Sequence, residues 1–340
     1  MEFKRGTNLI SFNFLGTSAG TPGRVKNVSS VIFRSANSKY YSMVDCGEGT
    51  QHRILESKAS LLKISHIYIT HLHGDHCLGL PGLISSRSLS GCDEPLSLSG
   101  PKGLKKMVLD ILEATSTTVR FPLIFKELDP GDAGTVTNVL PAEGEKNPGF
   151  KTEAIFLKHG VPCMAWKFTR EFDRGPLDVE KLQKAGLVPG PDYQKISQGK
   201  DVRLADGTVL KAESFLLPTP DPISFIIAGD NSDINVLAKA SDKINMLVHE
   251  ATFLSEDREK ITYDSGHSSL EEVCEFGKKN TIPALFLTHF SPRYHINEAP
   301  YLSRSFMNAF EKYRSDSLYL AHDRMSFTLT QHGIKDCNER

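Results

Sequence analysis

Short runs of branched and aromatic residues recur along this chain, each closed by glycine, asparagine or a charged turn. They predict β-strands. LISFNFLG (9–16), SVIFRS (30–35) and YYSMVDCG (40–47) predict an opening antiparallel set. HIYIT (66–70) predicts a strand that runs straight into HLHGDH. ISFIIAG (223–229), NMLVHEA (245–251), PALFLTHF (283–290) and SLYLAHD (317–323) predict later core strands. Helical spacing lies between them. Residues 104–115 set Leu104, Met107, Val108, Ile111 and Leu112 on one face. Residues 268–279 open with Ser268 and carry Glu271 three positions on, a capping-box pattern. Strands that first pair locally and later alternate with helices predict an α/β fold, with sheets packed face to face and helices outside.

One segment breaks this rhythm. Residues 170–220 are rich in proline and glycine, mixed in charge, and flanked by the strand-like runs CMAWKFT and ISFIIAG. They predict an arm, taken as 170–217, inserted into a single domain spanning 1–340.

Composition changes this picture little. The chain is 39% hydrophobic and 24% charged, as for a soluble globular protein. A net charge of −1 leaves no global basic field, so any nucleic acid must be met by local patches. The six cysteines are scattered without CxxC pairing and predict reduced thiols. No run approaches the ~20 apolar residues of a membrane span. No signal-peptide pattern is evident, and the expected location is cytoplasmic.

The chemistry concentrates in His71-Leu72-His73-Gly74-Asp75-His76, four potential metal ligands within six residues directly after a strand. Imidazole and carboxylate suit zinc and other first-row divalent metals. Gly74 is expected to let the loop bend so that alternate ligands reach different ions. Three further strand ends each offer a ligand: His159 in LKHGVP, Asp230 in IIAGDN and His289 in FLTHFS. Together they complete two four-ligand shells. Two ions about 3.5–4 Å apart can share a hydroxide and clamp a phosphoryl or acyl centre.

At these residues the chain resembles the metallo-β-lactamase superfamily. The resemblance implies a four-layer αβ/βα sandwich with its site along the edge between the sheets. It also implies that His71, His73 and His159 hold one ion, that Asp75, His76 and His289 hold the other, and that Asp230 bridges them. Within the superfamily, FLGTSAGTPGRVKNVSS, VDCGEGTQHRIL, ITHLHGDHCLGLPGLISSRSLSG, VHEATF (248–253), SGHSS (265–269) and AHDRMSFTL resemble the tRNase Z family. Within the arm, GLVPGPDYQKI resembles that family's glycine-proline hinge for tRNA, which points to Gly190 and Pro191. The matches run from residue 12 to about 329. Three places depart: Arg24 and Lys26 exchange the family's usual order, Ala165-Trp166 replaces a Gly-Tyr pair, and AGDN stands where SGDT is common.

What the resemblance implies is removal of a 3′ trailer from precursor tRNA, leaving a tRNA 3′-hydroxyl and a trailer 5′-phosphate. Two zinc ions are expected, with manganese or iron as alternatives, in a homodimer. Asp75 is a ligand and a candidate acceptor for the water's proton. His267, directly before the expected N-cap Ser268, is the candidate acid for the leaving oxygen, with Glu250 orienting and charging it. His249 is expected to support the ligands from behind or to be structural, and Asp45 to hold a ligand imidazole. Arg24, Lys26 and Arg87 are candidate phosphate contacts; Lys181, Lys184, Lys195 and Lys200 are candidates in the arm. Two rivals stand beside this reading: a dimetal hydrolase of a small phosphodiester or other ester, and a non-catalytic metal protein that only binds tRNA.

Overall fold

The computed structural model describes residues 9–147, 149–261, 266–296 and 302–338. The chain opens with β1 (Ile10–Gly16), β2 (Ser30–Ser35), β3 (Tyr41–Val44), β4 (Ile64–Tyr68), β5 (Leu96–Pro101) and β6 (Leu123–Leu128). It crosses to β7 (Val136–Val139), β8 (Lys151–Phe156) and β9 (Met164–Arg170). The arm carries the small ribbon β10 (Val202–Arg203) and β11 (Val209–Leu210). Then come β12 (Ile223–Ala228), β13 (Met246–Glu250), β14 (Leu285–Thr288) and β15 (Leu318–Leu320), followed by β16 (Ser326–Thr330) and β17 (Gly333–Lys335).

Two sheets result. One has eight strands in the order β17-β16-β1-β2-β3-β4-β5-β6, the other seven in the order β15-β14-β13-β12-β9-β8-β7. The opening strands β1, β2 and β3 pair antiparallel as expected, and β3 to β6 continue in parallel. β12 to β15 are parallel as well.

Side-chain alternation explains the layers. On β12, Ile223, Phe225 and Ile227 face the space between the sheets, whereas Ile226 and Ala228 face outward. The space between the sheets is aromatic: Phe12, Phe14, Phe33, Trp166, Phe168, Phe225, Phe286 and Phe327 fill it. Phe12 stacks on Phe327 at 4.9 Å and meets Phe225 edge-on at 5.0 Å. Ala165 and Trp166 fall one on each face of β9, both fully buried, so that departure from the family is a matter of packing.

Helices cover the outer faces. α1 (Thr50–Glu56), α3 (Leu80–Leu89) and α4 (Leu104–Ala114) lie on the first sheet; the one-turn α2 (Gly74–Cys77) sits at its end. On α4 the buried stripe is Leu104, Val108 and Leu112, with Met107 and Ile111 half-buried beside it. α8 (Leu270–Lys279) and α9 (Arg304–Glu311) lie on the second sheet, and the short α7 (Ser255–Arg258) packs near α8.

The arm is more than a loop. α5 (Val179–Lys184), α6 (Pro191–Ser197) and the β10–β11 ribbon enclose a small core of Leu182, Leu187, Ile196, Val202, Leu210, Ala212 and Phe215. Its ends meet: Asp178 N–H donates to Phe215 O at 2.9 Å, and Leu217 N–H to Pro176 O at 2.8 Å. It therefore projects from between two neighbouring antiparallel strands, β9 and β12, without disturbing their pairing. Cys46, Cys77, Cys92, Cys163 and Cys274 are buried thiols that form no disulfide. No helix among the described residues is long and apolar enough to cross a membrane.

Candidate metal centre

The segments that carry candidate ligands all leave the C-terminal ends of strands. Parallel strands bring these ends to one side of the molecule. β4 leads to Thr70 and His71, β8 to His159, β12 to Asp230 and β14 to His289. Two of the turns are strained. Asp45 has φ 59° and His289 φ 58°, left-handed values that cost a non-glycine residue about 1–2 kcal/mol. Asp45 is held there by bonds from its own N–H to Tyr68 O at 2.9 Å and from Thr70 N–H to its Oδ1 at 2.8 Å.

All seven side chains singled out from the sequence converge. In the first group, His71 Nε2 lies 3.1 Å from His73 Nδ1, which lies 3.3 Å from His159 Nε2. Asp230 Oδ2 is 3.5 Å from His71 Nε2 and 3.9 Å from His159 Nε2. In the second group, His76 Nε2 and His289 Nε2 are 3.2 Å apart. Asp75 Oδ2 stands 3.4 and 3.3 Å from them. Asp230 Oδ1 stands 3.5 and 3.4 Å from the same two nitrogens. Asp230 thus presents one oxygen to each group.

This donor set fits two cations. A tetrahedral ion with bonds of ~2.1 Å needs donors roughly 3.4 Å apart, and the separations here are 3.1–3.9 Å. Asp230 Oδ1 is buried with no hydrogen-bond partner, a costly state for a carboxylate that an ion would relieve. Burial alone would push the Asp230 carboxyl upward, but His289, His76 and His71 hold it well below the usual carboxylate range. Burial holds His71 below the ordinary imidazole value, with His76 adding to that effect. Neutral imidazole is the form that ligates.

The outer nitrogens have partners. His76 Nδ1 donates to Asp45 Oδ2 at 2.7 Å, and His159 Nδ1 to Gly266 O at 2.9 Å. Gly266 has φ +68°, and a Cβ there would stand 2.6 Å from the His159 ring. Asp75 Oδ2 also accepts from Gly20 N–H at 2.7 Å, which ties the exposed loop after β1 to the centre.

His267 borders both groups. Its Nδ1 is 3.3 Å from Glu250 Oε1 and 3.7 Å from Asp230 Oδ2, and its ring stacks on His289 with centroids 5.4 Å apart. Burial disfavours its cation, yet Glu250 and Asp230 outweigh that and raise it to about 9. Glu250 is 1% exposed and accepts from Thr252 N and Oγ1, Ser268 N and Asn231 N. His249 is structural, its Nδ1 donating to Glu250 O at 2.7 Å.

Four expectations need correction. The capping box of α8 is Ser269 with Glu272, one position beyond the Ser268–Glu271 pair. Ser268 instead donates its hydroxyl to Asn231 O at 2.6 Å, and the Glu271 carboxylate takes Ser255 N and Oγ. His267 is therefore charged by Glu250 rather than held by the helix end. Gly74 opens α2 in ordinary helical geometry; what it supplies is room, since a Cβ would stand 2.8 Å from Leu78. Arg87 is fully buried and grips the carbonyls of Leu61, Ile64, Glu94 and Pro95, so it holds the fold and meets no phosphate. Lys26 is 1% exposed with its Nζ 5.7 Å from the centre of the Phe290 ring, again out of reach of substrate. Arg24 is exposed, as are Gly190 and Pro191 at the start of α6. Ser265 of the SGHSS motif lies outside the described residues.

The sequence reading missed Thr70, Thr252 and Asn231. Asn231 is fully buried and binds Lys158 N, His249 and Asp233 through its side chain. The available signal was position: Thr70 precedes His71, Asn231 follows Asp230, and Thr252 stands two positions after Glu250.

Two packed sheets with this cluster at their edge define a metal-dependent hydrolase of the metallo-β-lactamase fold. The crystal structure of human tRNase Z, short form (ELAC1), matches with TM-score 0.63 at 24% identity, covering 93% of this chain and 98% of that one. YhfI from Bacillus subtilis, a metallo-β-lactamase fold protein, matches with TM-score 0.59 at 15% identity over 94% and 99%. A family model described as Anti-Pycsar protein Apyc1 matches residues 10–116. Among curated relatives, Ribonuclease Z of Halalkalibacterium halodurans is 40% identical over 94% of this chain and 98% of its own length. Ribonuclease Z of Bacillus subtilis is 36% identical over 87% and 93%. The chain belongs to the ribonuclease Z family, and it is a nuclease of the hydrolase class.

Proposed function

We propose that this protein is an endoribonuclease that removes the 3′ trailer from precursor tRNA, leaving a 3′-hydroxyl on the tRNA and a 5′-phosphate on the trailer. The observation that carries this is the pair of donor groups sharing Asp230, with His267 beside them, its Nδ1 3.3 Å from Glu250 Oε1. Support for the substrate comes from relatives named Ribonuclease Z that match over nearly the whole chain.

In this reading His71, His73, His159 and Asp230 hold one zinc ion, and Asp75, His76, His289 and Asp230 hold the other; manganese or iron would suit the same donors. Ions held there would acidify a water and neutralise charge on the scissile phosphate. The chain's own residues do the rest. Asp75 takes the water's proton. His267, with Nδ1 turned to Glu250, gives a proton from its other nitrogen to the leaving 3′-oxygen. Arg24 meets phosphate at the rim, and the arm, through Gly190, Pro191 and its lysines, grips the tRNA body. The enzyme works as a cytoplasmic homodimer.

The test is incubation of the purified protein with a 3′-extended precursor tRNA and with bis(p-nitrophenyl) phosphate, each with and without chelator. Chelator-sensitive release of a 5′-phosphorylated trailer is expected. Cleavage of the small diester with the precursor left intact would favour a small-diester hydrolase, and stoichiometric tRNA binding without product a scaffold.

A further inference from the structure

Behind each half of the metal centre stands the same chain of three groups. In the first, Thr70 Oγ1 donates to Asp45 Oδ2 at 2.9 Å and lies 3.1 Å from His71 Nδ1. In the second, Thr252 Oγ1 donates to Glu250 Oε2 at 2.6 Å and lies 2.9 Å from His289 Nδ1. Both threonines are buried, at 0% and 3% exposure, so bulk water does not compete.

A threonine hydroxyl has one proton to give, and an ionised carboxylate can only accept. A carboxylate is also a stronger acceptor than a neutral oxygen. For Thr252 this decides between Glu250 Oε2 at 2.6 Å and His289 O at 3.0 Å. With its proton committed, each hydroxyl oxygen is left as an acceptor. The facing Nδ1 must then carry the imidazole proton, which puts the lone pair on Nε2. His71 Nε2 faces His73 and Asp230; His289 Nε2 faces Asp75, His76 and Asp230. The other ligands need no such relay. His76 donates to Asp45 directly, His159 donates to Gly266 O, and His73 turns its Nδ1 to the centre.

We propose that Thr70 and Thr252 are positioning residues that set the tautomers of His71 and His289, one hydroxyl relay behind each ion. The inference rests on the two-ion reading of this site. It also gives Glu250 a second task, because its Oε1 faces His267 while its Oε2 holds the hydroxyl that orients a ligand.

The test uses the full-length protein loaded with zinc. Thr70→Val and Thr252→Val keep the shape and remove the hydroxyl; Thr70→Ser and Thr252→Ser keep it. In competition with a chelator, each valine variant is expected to hold one of its two ions about 10- to 100-fold more weakly, and each serine variant to match the parent. Valine variants that hold both ions as tightly as the parent overturn the proposal, as do serine variants impaired as much as valine. A second measurement needs no variant: long-range ¹H–¹⁵N spectra of the zinc-loaded parent should show His71 and His289 protonated at Nδ1 and bound through Nε2. Binding through Nδ1 at either residue overturns the relays. A parent that binds fewer than two ions overturns the two-ion reading itself, and the relays with it.

Discussion

Single side chains divide this protein's charged residues into those that serve the centre and those that serve the fold. Glu250 belongs to the first. Its carboxylate, with Asp230 adding to the effect, raises His267 from the ordinary imidazole value of 6.5 to about 9. A raised pKa means that the acid form is present below it and lost as pH climbs through it. Glu250→Gln is therefore expected to move the alkaline limb of the kcat/KM profile down toward the ordinary value; a limb that does not move would remove His267 as the acid. Arg87 belongs to the second. Its guanidinium, also over the Phe121 ring at 4.9 Å, satisfies four carbonyls. Arg87→Ala should cost about 3 kcal/mol, read by denaturant unfolding, because buried carbonyls lose their donors. Turnover per folded molecule should be unchanged; a raised KM for RNA with intact stability would return Arg87 to the substrate.

At the scale of elements, one residue of register decides what two adjacent serines do. Ser269 caps α8 and exchanges hydrogen bonds with Glu272, while Ser268 turns inward to Asn231 O. Ser269→Ala should therefore destabilise by about 1 kcal/mol, visible as a lower denaturant midpoint with activity per folded molecule retained. The same midpoint after Ser268→Ala, with Ser269→Ala silent, would restore the original register. The sequence favours neither serine: SS-L-EE satisfies the pattern at 268/271 and at 269/272 alike. The Glu250 carboxylate, which takes Ser268 N–H, and Asn231 O, which takes its hydroxyl, draw the first serine out of the helix.

For the whole molecule the arm is the separable part. It has its own small core, and the chain enters and leaves it side by side at Leu177 and Leu216. Replacing residues 178–215 with a short glycine linker should leave the melting temperature of the body within a few degrees. Hydrolysis of a small diester should survive and cleavage of precursor tRNA collapse. Retained precursor cleavage would take the arm out of substrate binding.

Local pattern was enough for the opening and later core strands, for the insertion and for the ligand string, because alternation, turn residues and ligand density are properties of short segments; it did not mark β5 to β8. His159, Asp230 and His289 were legible too, each standing at the end of a strand-like run. Distance and burial were not. Lys26 and Arg87 look like any surface cation until packing encloses them, and Thr70 and Thr252 look like ordinary strand-end threonines. Their hydrogen bonds join residues that neighbouring strands bring together, Thr70 with Asp45 beyond β4 and β3, and Thr252 with His289 beyond β13 and β14. Tertiary structure alone decides such pairings, since the energy of a buried polar contact depends on which partner arrives and on the exclusion of water.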